Sequence, residues 1–343
     1  MGNCISEKKV VKQKKIAKTI GNNFETKEAL NQALRENGLE RCNLLFAIDF
    51  TKSNIWQGEK TFDGKNLHTL KETKQQSPPA RPPPYNEEDQ YEPNKQQIVR
   101  LNSIGRSLTF GNLTRQQTLD NLKLMSELNP YQWVLSVSGT QLDDFDDDKL
   151  IPTAIFGHAR AKNDPYVKEI YDRYDDARGC HSIDGVIEAY EKAVNSNELS
   201  GGTLFAPVIE WALKYVENEY SPKAHDRREY SYHILIIIGD GCIDDLKETK
   251  EVLKKASKFP LSVVFVGVGD SSNPKDSKDK WRDMKSLDDE PTGEVDNWQS
   301  VYLSNMKERL EKVTRPDLEL ATWMFMEVPE QYKFFKKNGL VKG

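Results

Sequence analysis

Residues 44–53 read LLFAIDFTKS, an apolar run that ends at Asp49 and gives way to hydroxyl side chains at Thr51 and Ser53. Residues 234–241 repeat this pattern as ILIIIGDG, with Asp240 just past the run. Near-continuous aliphatic runs of this length are typical of parallel strands that are covered on both faces. The two stretches therefore predict buried strands of one parallel sheet.

The same alternation of short apolar runs with longer amphipathic ones extends along most of the chain. Strands that alternate with helices indicate the α/β class, here a doubly wound, mostly parallel sheet with helices on both faces. In such a sheet, ligands bind beyond the carboxyl ends of the strands. We predict strands at 44–50, 151–156, 233–238 and 261–268, and helices at 131–142, 183–194, 205–220, 246–259 and 318–337.

Oxygen-bearing side chains are predicted to meet at that end of the sheet. Asp49, Thr51 and Ser53 follow the first strand, Asp240 follows a later one, and Thr203 lies in a glycine-containing loop before a helix. Carboxylate and hydroxyl oxygens are hard ligands, which suit Mg²⁺ or Mn²⁺ better than zinc or copper. If the hydroxyls bind directly and the aspartates through water, the cation stays electrophilic and accepts a carboxylate from outside the chain.

The composition argues against several classes of function. The chain has 343 residues, with 54 acidic and 49 basic ones and a formal net charge of −5, so a general basic surface for nucleic acid is absent. No apolar run reaches the roughly 20 residues of a membrane helix. The four cysteines, at positions 4, 42, 180 and 242, are too far apart for a zinc knuckle and too few for a disulfide framework. We expect a reducing, intracellular compartment.

The N-terminus carries signals for attachment to a membrane surface. Residues 1–6 read MGNCIS, which fits the myristoylation pattern with Gly2 as the acceptor, and Cys4 is a candidate for palmitoylation. Six lysines between residues 8 and 18 follow a single acid, Glu7. One myristoyl chain binds a bilayer only marginally, so a second acyl chain or a basic patch makes the attachment stable. The pattern predicts the cytoplasmic face of the plasma membrane, with a cytosolic pool; the alternative is a solvated N-terminus with a chance Gly2.

The chain is predicted to have two main parts and one interruption. Residues 1–40 form the basic, lipid-bearing segment, and residues 41–337 form the α/β domain. Residues 71–97 contain no Val, Ile, Leu, Met or Phe and hold six of the 16 prolines, so they cannot bury a core. We interpret them as a disordered insertion, and an extension toward Thr118 is left open.

This insertion contains a candidate protein-binding motif. Pro82, Pro83, Pro84 and Tyr85 resemble the PPxY ligands of WW domains, which bind polyproline II segments in aromatic-lined grooves. On this interpretation the chain is a scaffold that recruits a ubiquitin ligase containing WW domains. The alternative is a proline-rich spacer with a chance tyrosine.

The sequence shows no nucleophile with its base. Nothing matches GxxxxGK(S/T), GxGxxG or GxSxG, and the five histidines show no ligand spacing. Asp244 and Asp245 are predicted to cap the helix that begins near Leu246. We therefore expect a protein without enzymatic activity.

Together, these residues resemble the von Willebrand factor A domains, and the copine subgroup in particular. The pattern Asp49-x-Thr51-x-Ser53, with Thr203 and Asp240, is similar to the metal-ion-dependent adhesion site of such domains. The similarity runs from about residue 40 to about residue 335. The copine-like stretches are NLLFAIDFTKSN (43–54), NPYQ (129–132), LIPTAIFG (150–157), IDGVIEAY (183–190), TLFAPVI (203–209), FVGVGD (265–270) and EVPEQ (327–331).

The resemblance implies a ligand set and a function. Ser53 and Thr203 are expected to bind Mg²⁺ or Mn²⁺ directly, with Thr51 beside them and Asp49 and Asp240 acting partly through water. A domain of this kind binds a protein partner, one of whose acidic residues completes the coordination of the metal. Together with the lipidation signals of the N-terminus, the resemblance implies a membrane-anchored signalling adaptor.

The chain departs from the family pattern in several places. Gly239 stands where the family usually has a threonine, and Thr51 replaces the serine of the broader pattern. Copines carry two C2 domains ahead of this domain, whereas only about 40 residues precede it here. The related plant ubiquitin ligases add a C-terminal RING finger, and no Cys/His cluster follows the last predicted helix, so ligase activity is not implied.

Overall fold

The structure, a computed structural model, is described for residues 24–70, 128–146, 148–161, 164–218, 231–241, 243–270, 281–289 and 293–341. The lipidation candidates Gly2 and Cys4 lie outside these residues, as do the N-terminal lysines. The PPxY motif and the rest of the 71–97 insertion also lie outside them, so those predictions stay predictions.

The described residues contain a six-stranded sheet and a separate antiparallel pair. The sheet strands are β1 Asn43–Asp49, β3 Thr153–Phe156, β4 Val167–Glu169, β6 His233–Gly239, β7 Leu261–Gly267 and β8 Trp298–Tyr302, and the pair is β2 Leu150–Ile151 with β5 Cys180–His181. The sheet order is β4-β3-β1-β6-β7-β8. Each neighbouring pair is parallel except β3 with β4, which is antiparallel. The prediction of a mostly parallel sheet is confirmed.

Helices cover both faces of the sheet because alternate strand residues point to opposite sides. Leu44, Phe46 and Ile48 of β1 pack in one apolar cluster, and Leu45 and Ala47 pack in the other. The first cluster includes residues of α1 Lys27–Glu36, α2 Pro130–Leu142, α3 Ser182–Ser196, α7 Leu303–Leu310, α8 Pro316–Phe325 and α9 Val328–Lys337. The second includes residues of α4 Ala206–Asn218, α5 Leu246–Ala256 and α6 Arg282–Asp289. None of the helices in the described ranges is long and apolar enough to cross a membrane.

Two predicted elements are wrong in the same way, because each is interrupted near a proline. The predicted strand at 151–156 is divided into β2 and β3, with Pro152 between them. The predicted helix at 318–337 is two helices, and Pro329 lies in the first turn of α9. Proline has no N–H and clashes with the preceding helical turn, whereas it is well tolerated at the start of a helix.

The register of the sheet brings three strand ends together. Ile48 of β1 lies opposite Ile155 of β3 on one side and Ile238 of β6 on the other. Since all three strands run in the same direction, the loops that follow them leave the sheet at the same end. This end carries Asp49 and Asp240.

Candidate metal centre

Asp49, Thr51, Ser53 and Asp240 form a closed ring of hydrogen bonds at this end of the sheet. The N–H of Thr51 donates to Oδ1 of Asp49 at 2.7 Å, and the hydroxyls of Thr51 and Ser53 lie 3.0 Å apart. Oγ of Ser53 donates to Oδ1 of Asp240 at 3.1 Å. The N–H of Asp240 donates to Oδ2 of Asp49 at 3.4 Å, which closes the ring. The structure thus brings together four of the five predicted ligands.

Thr203, the fifth, lies in an adjacent loop. Ser200 of this loop forms an isolated parallel bridge with Thr51, and its N–H donates to the carbonyl oxygen of Phe50 at 3.1 Å. The N–H of Thr203 donates to Oδ2 of Asp244 at 2.8 Å, and the N–H of Asp244 donates back to the carbonyl of Thr203 at 2.8 Å. The loop is therefore fastened both to the Thr51 segment and to the segment that follows Asp240.

Asp245 connects the start of α5 with the start of α4. It occupies the N-cap position of α5, where its Oδ1 accepts the hydroxyl of Thr249 at 3.0 Å and no backbone N–H of that helix. Its carboxylate instead accepts the N–H groups of Phe205 and Ala206, both at 2.9 Å. These N–H groups belong to the start of α4, where the helix has no internal acceptor for them. The predicted N-cap position of Asp245 is confirmed, whereas the prediction for Asp244 is wrong, because its carboxylate holds the Thr203 loop.

Both carboxylates of the ring are buried. Asp49 is 0% exposed and Asp240 is 1% exposed. Burial raises the pKa of Asp49 to about 6, against the opposing effect of the Thr51 and Asp240 donors. Two adjacent buried carboxylates disfavour their charged forms, and a divalent cation is the partner that would offset this cost. The donor set, two carboxylates with hydroxyls, fits a hard cation such as Mg²⁺ or Mn²⁺.

A buried histidine, His68, forms a hydrogen bond with the backbone of Asp49. Nε2 of His68 lies 2.8 Å from the carbonyl oxygen of Asp49, and Nδ1 lies 2.9 Å from the hydroxyl of Tyr190. A carbonyl oxygen can only accept, so Nε2 carries the proton and Nδ1 accepts from the Tyr190 hydroxyl. Burial lowers the pKa of His68 to about 3, so the ring is neutral at physiological pH.

Asn54 supports the next part of the same loop. Its Nδ2 donates to the carbonyl of Thr51 at 3.1 Å, and its Oδ1 accepts from the hydroxyl of Tyr131 at 2.7 Å. Sequence reasoning did not identify Asn54, His68 or the two tyrosines as parts of the site. Asn54 and His68 lie in the segment that follows Asp49, and this proximity in sequence is the feature that could have indicated them.

Two glycines allow the close packing around the ring. Gly157 has a φ of +73°, and a Cβ there would lie 2.4 Å from Cγ2 of Thr51. At Gly239 a Cβ would lie 3.2 Å from Oδ2 of Asp49 and 3.1 Å from Cε2 of Phe265. The glycine that departs from the family pattern thus gives the Asp49 carboxylate space to approach β6.

The candidate centre differs from a site built on histidine, cysteine and carboxylate ligands alone. Within the described part of the chain, no group of three or more such side chains is arranged to hold a metal ion. The ring has two carboxylates, and its remaining oxygens come from Thr51 and Ser53. Its capacity for a metal therefore depends on the hydroxyl groups as much as on the acids.

Comparison with known proteins identifies the family. The family model described as Copine matches residues 121–342. The chain belongs to the copine family. The resemblance seen in the sequence is thereby confirmed, and membership of this family indicates a domain that mediates protein interactions.

Curated relatives of this copine-family chain include a nematode copine family protein and plant ubiquitin ligases. It is 30% identical over 320 residues to Copine family protein 2 of Caenorhabditis elegans, a match that covers 93% of this chain and 3% of that protein. It is 29% identical over 327 residues to E3 ubiquitin-protein ligase RGLG1 of Arabidopsis thaliana, which covers 92% of this chain and 52% of that protein. For RGLG3 of the same plant the identity is 30%, with 92% and 69% covered. The chain therefore spans about half of RGLG1 and a small part of the nematode protein.

Matches to solved structures are distant. Manganese-loaded TRAP protein of Plasmodium vivax matches with a TM-score of 0.36 and 13% identity over 80% of this chain and 74% of that one. The protein BatB of Bacteroides thetaiotaomicron matches with a TM-score of 0.33 and 11% identity over 82% of this chain and 98% of that one. At these scores the likeness carries no argument about the site.

Proposed function

We propose that this copine-family protein is a membrane-anchored, non-enzymatic adaptor that captures an acidic residue of a protein partner through a bound divalent cation. The residues that would hold Mg²⁺ or Mn²⁺ are Asp49, Thr51, Ser53, Thr203 and Asp240. The observation that carries the proposal is the closed hydrogen-bond ring, which collects two buried carboxylates and two hydroxyls at the ends of adjacent strands.

The charge of this ligand set favours an outside carboxylate. Asp49 and Asp240 supply two negative charges, while Ser53, Thr51 and Thr203 are neutral. The two carboxylates balance the charge of a bound divalent cation and leave no excess negative charge at the site. A partner's Asp or Glu can therefore join the site without being repelled by an excess of acids.

The neighbouring groups support a binding role and give no support to catalysis. Both ring nitrogens of His68 are engaged in hydrogen bonds, and its lowered pKa removes it as a general base near neutral pH. Asp49 and Asp240 are held within the ring by donors from the Thr51 and Ser53 segment. These groups are arranged to hold a cation, with none of them poised to take a proton from a substrate.

Membrane attachment through Gly2, Cys4 and the N-terminal lysines is the second part of the proposal. The packing of α1 is compatible with it. Nδ2 of Asn31 in α1 donates at 2.7 Å to Asp144, which follows the end of α2, whereas Asn129, at the start of α2, donates to Tyr190 beneath the metal ring. An α2 of 13 residues spans about 20 Å, so α1 packs at the end of the domain away from the ring. The ring can then face away from the bilayer.

Recruitment of a WW-domain ubiquitin ligase through Pro82, Pro83 and Tyr85 is kept as an alternative. It rests on the sequence pattern and is separable by experiment. Tyr85→Ala should abolish binding to an isolated WW domain and leave metal binding intact.

Calorimetric titration of the EDTA-treated full chain with MgCl₂ and MnCl₂ tests the metal centre. Wild type should bind, and Asp240→Ala should not. Asp63→Asn is the matched control, because this exposed carboxylate lies outside the ring and asparagine tolerates its φ of +54°. The proposal is wrong if wild type shows no binding at millimolar metal, or if Asp240→Ala binds as wild type does.

A further inference from the structure

Exposed apolar side chains are concentrated beside the metal ring. Of the large hydrophobic residues in the described ranges, those that are exposed are Trp56 at 53%, Ile55 at 46% and Tyr174 at 38%. Ile55 is the last residue of the short 3₁₀ helix that carries Ser53, and Trp56 is its C-cap. Single exposed apolar residues are ordinary on a protein surface, but an adjacent aromatic and aliphatic pair beside a polar site is typical of an interaction surface.

The backbone beneath this pair is fixed. The N–H of Trp56 donates to the carbonyl of Ser53 at 3.0 Å, and the N–H of Leu67 donates to the carbonyl of Asn54 at 3.0 Å. The side chain of Asn54 is itself buried and bonded to the Thr51 carbonyl. The exposure of Ile55 and Trp56 therefore belongs to an ordered surface, and a partner that binds there loses little affinity to ordering of this loop.

Two positive charges lie near the ring. Lys52 is exposed and immediately precedes Ser53. The guanidinium of Arg160 lies 5.1 Å from the centre of the Tyr166 ring, and the hydroxyl of Tyr166 donates to the carbonyl of Gly202 at 2.7 Å. Gly202 precedes Thr203, so Arg160 lies at the edge of the Thr203 loop. These two cations favour approach of a negatively charged partner segment, against the opposing charge of the exposed Asp244 carboxylate, which accepts the N–H of Thr203.

We propose that Ile55 and Trp56 form the apolar half of the docking surface, and that the occupant is a protein segment with one Asp or Glu for the cation and one large apolar side chain for this pair. The inference rests on the proposed function, since it assigns the second contact of a partner held at the same site. From Ser53 to Trp56 a 3₁₀ turn advances about 6 Å, and an extended chain advances about 3.4 Å per residue. The acidic and apolar residues of the partner are therefore separated by about one to three positions.

A peptide selection tests this inference on the full chain. A random peptide library displayed on phage is panned on immobilised wild-type protein in millimolar MgCl₂ and eluted with EDTA. The enriched peptides should carry Asp or Glu within three positions of Trp, Phe, Leu or Ile. A synthetic peptide with the enriched consensus is then titrated by fluorescence anisotropy against wild type and variants.

The decisive variant is the double substitution Ile55→Ser with Trp56→Ser. Because both side chains are exposed, the fold should be preserved, and calorimetry should show an unchanged affinity for Mg²⁺. The affinity for the peptide should fall about tenfold or more, as expected when an aromatic anchor is removed. Tyr174→Ser is the matched control, because the antiparallel β4 directs the chain after Glu169 toward the opposite end of the sheet. It should change neither affinity.

The outcomes separate this inference from the proposed function. If wild type binds no Mg²⁺, the metal centre itself is wrong. If wild type binds Mg²⁺ and the peptides eluted by EDTA carry Asp or Glu but no neighbouring apolar residue, the inference is wrong and the proposed function stands. If wild type binds Mg²⁺ and no peptide is eluted by EDTA, both the inference and the capture of an acidic partner residue are wrong. Equal peptide affinity in the double variant also overturns it. The inference is also wrong if the double substitution weakens binding to phosphatidylserine vesicles and leaves peptide binding unchanged.

Discussion

Asp49 is the residue whose charge state decides how the site behaves without metal. Burial raises its pKa from 3.8 to about 6, so in the folded chain its ionised form is disfavoured. A group with a raised pKa has its full stabilising effect below its unfolded pKa and loses it as the pH rises through the folded value. His68 has the opposite effect, because its pKa is lowered from 6.5 to about 3 and protonation favours the unfolded chain.

The first prediction isolates Asp49 from His68 by comparing wild type with Asp49→Asn in EDTA. The free energy of unfolding of wild type, relative to the variant, should fall between pH 4 and pH 7, by an amount on the order of 3 kcal/mol for a shift of this size. His68 is present in both proteins, so its contribution cancels. Urea denaturation at a series of pH values measures the difference. Parallel pH profiles for the two proteins would contradict the prediction. In saturating Mg²⁺, the free energy of unfolding of wild type should no longer decrease between pH 4 and pH 7 relative to the variant.

At the scale of single elements, the start of α4 depends on a side chain from another segment. Asp245→Ala should destabilise the protein by about 1–2 kcal/mol, since the N–H groups of Phe205 and Ala206 lose their acceptor. It should also weaken Mg²⁺ binding, because the Thr203 loop precedes these residues. Urea denaturation and calorimetry measure the two effects. Glu248→Ala, which removes an acid from the first turn of α5, is the control and should change stability by no more than a few tenths of a kcal/mol. An equal loss of stability in both variants would contradict the prediction.

The strength of the local pattern determined which elements could be predicted. The continuous aliphatic runs of β1, β6 and β7 identified the sheet because both of its faces are buried. The three-residue edge strand β4 alternates too briefly to be recognised, and α6 is mostly polar, with Met284 and Leu287 as its buried apolar residues. Helix α1 has buried Leu30 and Leu34, but it lies in the segment interpreted as an anchor.

In the candidate site, too, the residues with a local sequence pattern could be predicted and those placed by tertiary packing could not. Asp49, Thr51, Ser53 and Asp240 could be named from the sequence because each lies within a few residues of the end of an apolar run, and strand ends in a parallel sheet meet. The support from Tyr190 and Tyr131 comes from α3 and α2, which are distant in sequence. Their contacts depend on how those helices pack on the sheet, and no local pattern records that.

At the scale of the whole molecule, attachment to the membrane and binding at the ring are predicted to be independent. Gly2→Ala should release the chain to the cytosol, since it removes the acyl chain and the membrane residence that palmitoylation of Cys4 requires. Cys4→Ala should leave a weaker, salt-sensitive association. Asp240→Ala is the control and should fractionate with membranes as wild type does, because α1 packs at the far end of the domain. A Gly2→Ala protein that stays with membranes would show that the anchor is wrong.

Metal binding should in turn stabilise the whole fold, because the ring joins the ends of β1 and β6 in the middle of the sheet. These two strands pair in register from Asn43 with His233 to Ile48 with Ile238, so unfolding must separate the two carboxylates and release the cation. Wild type should gain about 2.7 kcal/mol at a metal concentration a hundredfold above its Kd. Asp240→Ala should gain nothing, and Thr203→Ala should gain less than wild type, because it loses one neutral ligand and no charge. Thermal unfolding with increasing MgCl₂ or MnCl₂ measures this, and an equal gain in wild type and Asp240→Ala would mean that the cation binds elsewhere.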